Sequence, residues 1–128
     1  MAICYEVVYP GLVREQARHA DVLLTISNDS WFGASIGPIQ HLQMAQMRAL
    51  ENGRWMLRGT NNGITAIIDH SGAVRGRLPQ FEPGALRGDY RVMTGTTPFT
   101  RAGHLPLLAL LVAVVAMALY RRPHAPRP

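Results

Sequence analysis

Cys4 is the residue of this chain best suited to covalent chemistry. It is the only cysteine, and Tyr5 and Glu6 follow it directly. A nucleophilic cysteine reacts as the thiolate, which needs a neighbouring base or cation. Glu6 would share a face with Cys4 on an extended chain, but a carboxylate disfavours the thiolate, so the activating cation must come from elsewhere. The residues alone leave open that Cys4 is an inert, small core residue.

Two further polar patterns follow predicted strands. The first is SNDSWFG at residues 27–33, and the second is TNNGI at residues 60–64. Strand ends are where α/β proteins build sites, but Asn, Asp and Gly also form ordinary turns, so both interpretations stay open. Trp31 and Phe32 are large apolar residues in a loop, and such residues fill a pocket or dip into a membrane surface.

The elements that must position these residues alternate between strand and helix. The apolar run at residues 21–27 predicts a strand covered on both faces. Gly37-Pro38 opens a helix that Asn52-Gly53 ends. Further strands are predicted at residues 64–70, 73–78 and 86–92, the last from its strict alternation. This order predicts an α/β layer architecture.

Charge and composition exclude several classes of protein. All 13 basic residues are arginines, and they are scattered, which argues against nucleic-acid binding despite a formal net charge of +5. A single cysteine excludes an internal disulfide and a multi-cysteine zinc site. The five histidines never pair at helical spacing, so no metal site is predicted.

The stretch at residues 105–120 carries no charge. It would reach about 24 Å as a helix, a little short of the roughly 30 Å hydrocarbon core. We predict one transmembrane helix with flanks at 98–122, preferred over a buried helix, and a disordered tail at 123–128. Arg121-Arg122 predicts a cytoplasmic C-terminus, which places residues 1–97 on the other side of the membrane.

These blocks, taken in order, resemble the C-terminal part of the apolipoprotein N-acyltransferase family. The matching runs are Cys4-Tyr5-Glu6, LLTISNDSWFG at 23–33, GPIQHLQMAQMRALENGR at 37–54 and TNNGITAIID at 60–69, followed by the apolar helix. These are bacterial inner-membrane enzymes of the nitrilase (carbon–nitrogen hydrolase) superfamily. The resemblance implies that residues 1–97 are the C-terminal half of a nitrilase-like α-β-β-α domain, followed by one transmembrane helix.

The resemblance also implies roles for individual residues. Cys4 would be the nucleophile, Glu6 a supporting acid, and the Tyr5 backbone N–H an oxyanion donor. Trp31 and Phe32 would lie in the loop on the lipid and substrate side. No metal and no dissociable cofactor are implied.

The implied activity is the transfer of a fatty acyl chain from a phospholipid, through a cysteine thioester, to the N-terminal amine of a diacylated lipoprotein. Alternatives are a membrane-tethered nitrilase-type amidohydrolase and an inactive membrane-anchored remnant. The family's catalytic glutamate and lysine have no counterpart here, since the chain contains no lysine. We therefore expect a fragment that is inactive alone, with its nucleophile on a three-residue stub whose position is not fixed.

Overall fold

The computed structural model describes residues 1–121, which form a mixed five-stranded sheet with helices on one face. The strands lie in the order β1 (Ala2–Ile3), β2 (Val22–Asn28), β3 (Trp55–Asn61), β4 (Ala66–Ile68) and β5 (Val74–Arg77). The first three are parallel, and β3, β4 and β5 are antiparallel. The helices are α1 (Pro10–Ala17), α2 (Gly37–Asn52), α3 (Pro98–Ala102) and α4 (Leu105–Tyr120), with 3₁₀ helices at Cys4–Val8 and Ser30–Phe32. The predicted α/β class is confirmed.

The core lies between the sheet and the two helices α1 and α2. Apolar side chains from both helices meet those of the strands there, among them Val13, Leu42, Leu23, Met56 and Ile68. Burying each such side chain is worth about 1.5–3 kcal/mol before entropy is counted, so this interface contributes strongly to the stability of the fold.

Helix α2 begins and ends where the sequence predicts. Pro38 occupies the first turn, where its missing N–H is not needed. Gly53 follows the last turn with φ +59°, and its N–H donates to the carbonyl of Leu50. Glycine adopts this left-handed conformation without steric penalty, so the helix stops here and the chain turns directly into β3.

Within residues 1–121, strand β2 is buried on one face and only partly covered on the other, which corrects the prediction that both faces are covered. Leu23 and Thr25 are buried under the helices, whereas Leu24 and Ile26 are 39% and 51% exposed. A run of apolar residues indicates that both faces of the strand suit an apolar environment. It does not show that residues of this chain cover both faces.

Two strand predictions need correction. The run at 86–92 is extended but is not a strand: it crosses the open face of the sheet, with Gly88 so close to Ile67 that a Cβ there would lie 2.8 Å from its Cδ1. Its alternation therefore reflects packing on a sheet rather than pairing within it. The strand predicted at 64–70 is shorter, at Ala66–Ile68, and β3 precedes it.

The predicted transmembrane helix is not found. Helix α4 is 16 residues long and exposed throughout its length. Within residues 1–121, no helix is both long and apolar enough to cross a membrane. The tail predicted to be disordered, 123–128, lies outside the described residues, as does Arg122.

Asp69 organises the turn between β4 and β5. Its carboxylate accepts hydrogen bonds from the Ser71 N–H and hydroxyl and from the Ala73 N–H, and it pairs with Arg75. Burial alone would raise the pKa of this carboxyl, but these bonds hold its pKa far below the ordinary range. The ionised form is therefore the one that stabilises the fold.

We expect Asp69→Asn to lower the free energy of unfolding at pH 7 by about 1–2 kcal/mol, because the charge-assisted bonds are lost. The folded-state pKa is depressed, so the contribution is complete above the unfolded pKa of about 3.9 and disappears as the pH falls further. Urea unfolding at pH 7 and at pH 3 measures the difference. A gap between variant and parent that is no smaller at pH 3 would contradict this role.

Candidate active site

Cys4 stands where β1 turns into a 3₁₀ helix. Its φ of +53° lies in the left-handed region, which is strained for a residue with a side chain and costs on the order of 1 kcal/mol. The stub before it is anchored, because Ala2 and Ile3 pair in parallel with Thr25 and Ile26 of β2. The expectation that the position of Cys4 would not be fixed is therefore wrong. The sharp turn presents a partly exposed thiol at the carboxyl end of the parallel strands.

Glu6 holds this turn closed. Its Oε2 accepts a hydrogen bond of 2.7 Å from the backbone N–H of Ile3. The 3₁₀ helix over Cys4–Val8 means that Glu6 does not share an extended-strand face with Cys4, as the spacing had suggested. The observed contact of the carboxylate is with the backbone just before the thiol.

Tyr5 contributes a backbone amide beside the thiol. This N–H lies in the first turn of the 3₁₀ helix, where amides have no partner within the helix. The phenol ring packs edge-on against Tyr9 and lies 6.2 Å, centroid to centroid, from the imidazole of His41. The sharp turn from Ile3 through Cys4 to Tyr5, called the elbow below, is thus supported from α2 through an aromatic contact.

The structure separates Trp31 from Phe32. Phe32 is half-buried, and its ring lies 6.4 Å from His41, so it joins Tyr5 at the same imidazole. Trp31 is 81% exposed, and its Nε1–H donates to the carbonyl of Asn28 at 2.9 Å. Phe32 therefore belongs to the surroundings of the elbow, while Trp31 faces outward.

A buried polar network lies behind the elbow. Asp29 is fully buried, and its Oδ1 accepts hydrogen bonds from the Ser27 hydroxyl and from His41 Nδ1, both at 2.9 Å. Its Oδ2 pairs with Arg58 Nη2 at 2.8 Å. Because a carboxylate only accepts, His41 carries its proton on Nδ1. One carboxylate therefore joins β2, α2 and β3.

The charges of this network depend on one another. Burial raises the pKa of Asp29, but the bond from His41, the charge of Arg58 and the bond from Ser27 outweigh it and hold that pKa below its usual value. Burial lowers the pKa of Arg58, and the charge of Asp29 and, less strongly, that of Cys4 oppose this effect. Asp29 and Arg58 therefore form a buried ion pair that also interacts electrostatically with the thiol.

Several buried atoms of the network have no hydrogen-bond partner among residues 1–121: His41 Nε2, Thr25 Oγ1, and Arg58 Nε and Nη1. A cavity of about 110 Å³ adjoins the imidazole. Its lining combines aromatic, apolar and amide groups, from Tyr5, Phe32, Gly37, Gln40, His41 and Met44. The site can therefore accept and donate further hydrogen bonds next to an apolar wall.

Sequence reasoning missed Asp29, His41 and Arg58. Asp29 enters the sequence analysis only within the SNDSWFG run, for which a site and an ordinary turn both stay open, and His41 is set aside because no second histidine stands at helical spacing. The available signal was Arg58, a charged residue between Leu57 and Gly59 in the middle of a strand. A charge at such a position needs a buried partner, and Asp29 follows the neighbouring strand.

Comparison with known proteins assigns the chain to a family. A family model of carbon-nitrogen hydrolases matches residues 1–100. The chain belongs to the carbon-nitrogen hydrolase family. The resemblance noted from the motifs is therefore confirmed at the level of the superfamily.

Curated relatives of this carbon-nitrogen hydrolase chain are similar over nearly all of it. The apolipoprotein N-acyltransferase of Azotobacter vinelandii is 58% identical over 120 residues, which is 94% of this chain and 23% of that protein. The enzyme of the same name from Pseudomonas aeruginosa strain LESB58 is 53% identical over 125 residues, 98% of this chain and 24% of that protein. The chain thus spans about a quarter of the length of these relatives.

A solved structure is also similar to this carbon-nitrogen hydrolase chain. The crystal structure of Saccharomyces cerevisiae Nit3, described as a member of branch 10 of the nitrilase superfamily, has a TM-score of 0.49 and 20% sequence identity. The match covers 63% of this chain and 33% of Nit3.

Gly63 gives a direct test of the buried network in this carbon-nitrogen hydrolase chain. A Cβ at this position would collide with the carboxylate of Asp29. We expect Gly63→Ala to displace Asp29 from Arg58 and to lower the free energy of unfolding by roughly 3 kcal/mol, as for other broken buried ion pairs. Urea unfolding measures the loss.

Gly59→Ala is the matched control, because it lies on β3 and a Cβ there would meet nothing within 4 Å. We expect it to change the stability by no more than about 0.5 kcal/mol. Equal losses in the two variants would show that the contact with Asp29 is not responsible.

Proposed function

We propose that this chain carries the nucleophile-bearing part of an apolipoprotein N-acyltransferase. The observation that carries the proposal is Cys4, held at φ +53° at the end of the parallel strands, with the backbone amide of Tyr5 next to it in the first turn of the 3₁₀ helix. The family supports cysteine chemistry, and the similarity to enzymes of that name supports acyl transfer rather than hydrolysis.

The reaction proceeds in two half-reactions. The Cys4 thiolate attacks the ester carbonyl of a phospholipid, a thioester bond forms, the ester C–O bond breaks, and the lysophospholipid leaves with a proton. The N-terminal amine of a diacylglyceryl-cysteine lipoprotein then attacks the thioester. An amide bond forms, the C–S bond breaks, and the amine gives up a proton. A covalent intermediate suits this chemistry because the two lipid substrates need not be bound together.

Each nearby residue has a part in these steps. The Tyr5 N–H donates to the oxyanion of both tetrahedral intermediates, a contribution worth about 3–4 kcal/mol for similar donors. Glu6 is the supporting acidic residue. Its carboxylate accepts a hydrogen bond from the Ile3 N–H and so keeps the turn at Cys4 closed. Phe32 lines the approach for the acyl chain, and the exposed ring of Trp31 contacts lipid.

The partners are a phospholipid donor, a diacylated apolipoprotein acceptor and the bacterial inner membrane, with the active site on the periplasmic side. Helix α4 supports the membrane location, because its side chains are apolar on every side and exposed. A helix of this kind has no polar face for water, so contact with lipid satisfies it better. The cytoplasmic C-terminus inferred from Arg121-Arg122 requires a membrane-crossing segment, which is not found within residues 1–121, and it stays an untested prediction.

A chimera tests the assignment of Cys4. The matching segment of the Azotobacter enzyme is replaced by residues 1–121 of this chain, and N-acylation of a diacylated lipopeptide is measured by mass spectrometry. We expect the chimera to be active and its Cys4→Ser variant to lose at least about 10³-fold, because the serine hydroxyl is far less ionised than a thiol and no thioester can form.

Labelled acyl chain should accumulate on the chimera when acceptor is omitted, and not on the serine variant. Undiminished transfer by the serine variant would refute the nucleophile assignment. Release of free fatty acid in place of acylated lipopeptide would instead identify a hydrolase.

We also expect the 128-residue chain alone to show no transferase activity. It has no lysine to serve as the cation beside Cys4, and the family's glutamate base has no counterpart in it. General acid–base catalysis by such a base contributes about 10²–10⁴-fold in rate. The measurement is N-acylated lipopeptide formed by the chain in detergent with phospholipid, compared with a Cys4→Ala variant. Product above the level of that variant would contradict the expectation.

A further inference from the structure

We propose that the cavity beside His41 is a binding site for the primary amino group of the acyl acceptor, with His41 Nε2 as its hydrogen-bond acceptor. This inference deepens the proposed function, on which it rests, because it gives the attacking amine a place against the chain. It also gives a physical reason for a preference of an amine over water as the second substrate.

The imidazole of His41 uses one of its two nitrogens. Nδ1–H donates to Asp29 Oδ1 at 2.9 Å, so the lone pair of the neutral ring is on Nε2. His41 is 3% exposed, and Nε2 has no hydrogen-bond partner among residues 1–121. A buried acceptor without a donor is unfavourable, so a ligand that donates to Nε2 regains the free energy of that bond.

The unused nitrogen faces the cavity. The two nitrogens of an imidazole point in nearly opposite directions, so Nε2 points away from Asp29. Asp29 does not line the cavity, whereas His41 does. Tyr5 and Phe32 line it as well, and their ring centroids lie 6.2 and 6.4 Å from that of the imidazole. A donor in the cavity therefore meets the edge of the ring that carries Nε2.

The other walls of the cavity suit an ammonium group. Tyr5 and Phe32 supply aromatic rings, which attract cations, and Met44 supplies a polarisable thioether. The side-chain oxygen of Gln40 is a second acceptor. Within residues 1–121, no arginine and no carboxylate lines the cavity. This lining favours a donor that is positive or neutral over an anion.

The size of the cavity limits the ligand to a small group. Its volume is about 110 Å³, and a water molecule occupies roughly 30 Å³ in the liquid. An amino group with its first two or three carbon atoms fits this volume, whereas a fatty acyl chain does not. Tyr5 and Met44 are 52% and 36% exposed, so the cavity is open to a ligand from outside.

The cavity also lies beside the nucleophile along the chain. Tyr5 lines it and directly follows Cys4, and consecutive Cα atoms are about 3.8 Å apart. In the proposed reaction, Cys4 carries the acyl group as a thioester. An amine bound against His41 is therefore held next to the residue that it must attack.

Gly37 determines where the Phe32 wall stands. A Cβ at Gly37 would lie 2.5 Å from Cδ1 of Phe32, which is too close for any ordinary contact. The ring of Phe32 therefore rests against the backbone at the start of α2. Since only glycine leaves this room, a substitution at position 37 changes the cavity without touching His41.

A titration of the full 128-residue chain in detergent tests the proposal. The probe is S-(2,3-dihydroxypropyl)cysteine amide, which has a free primary amine and no acyl chain, and its N-acetyl derivative is the matched control ligand. Nitrogen-15 NMR follows the imidazole of His41 and the backbone amide of Tyr5. We expect the free amine to shift both signals, and the N-acetyl derivative to bind at least about tenfold more weakly.

His41→Asn removes the acceptor and keeps the contact with Asp29. The asparagine N–H₂ takes the place of Nδ1–H, and no atom replaces Nε2. We expect the affinity for the free amine, measured at the Tyr5 amide, to fall by at least about tenfold. His19→Asn is the same change at an exposed histidine on the other side of α1, and we expect it to leave the affinity unchanged.

Gly37→Ala tests the cavity without altering His41. The added methyl group displaces the ring of Phe32, and we expect the affinity for the amine to fall by about threefold. Gly11→Ala is the matched control, because Gly11 also lies in the first turn of a helix and a Cβ there would meet nothing within 4 Å. We expect no change in affinity for this variant.

The titration involves no acyl transfer, so it can fail while the proposed function stands, and an inactive chimera would leave a positive titration intact. The proposal is overturned if the free amine does not bind, or if it binds no better than the N-acetyl derivative. It is also overturned if His41→Asn, folded by circular dichroism, keeps the parental affinity. Should that variant fail to fold, equal affinities of Gly37→Ala and Gly11→Ala would overturn it.

Discussion

The buried carboxylate of Asp29 is the interaction on which the rest of this structure depends. It accepts hydrogen bonds from Ser27 on β2 and from His41 on α2, and it forms an ion pair with Arg58 on β3. An isolated buried carboxylate would be very unfavourable, so its three partners must be in place together. The network thereby fixes the position of α2 against the parallel strands, and α2 in turn supports the aromatic residues around Cys4. Stability and site geometry share one set of contacts.

This arrangement divides the sheet into two parts with different roles. The parallel strands β1, β2 and β3 end together near Cys4 and carry the polar network. The antiparallel strands β4 and β5 form a hairpin whose turn is held by Asp69 and its local hydrogen bonds. Changes in the hairpin should affect stability more than reactivity, because its contacts are local. Changes at the ends of the parallel strands should affect both.

The sequence predicted the features that local chemistry determines. The limits of α2 followed from Gly37-Pro38 and Gly53, and β2 followed from its apolar run, because caps and periodicity act within a few residues. Arg58 and Asp29 are 29 positions apart, so their pairing could not be found from spacing, and it depends on the register of β2 with β3. The strand prediction at 86–92 was wrong for a related reason. Alternation shows which side chains pack against a surface, and it does not show whether the backbone pairs with another strand. For the site, motifs indicated Cys4, but the φ of +53° and the bond from Ile3 to Glu6 required coordinates.

The two tryptophans occupy opposite environments, and this has a spectroscopic consequence. Trp55 begins β3 and is only 9% exposed, whereas Trp31 extends from the loop after β2 with its indole nitrogen tied to Asn28. Indole emission depends on the polarity around the ring, so one fluorophore follows the integrity of the sheet and the other follows the medium outside the elbow. With only two tryptophans in the chain, replacing either one isolates the other. The fold thus contains a fluorescent reporter of its core and a separate reporter of the exposed loop after β2.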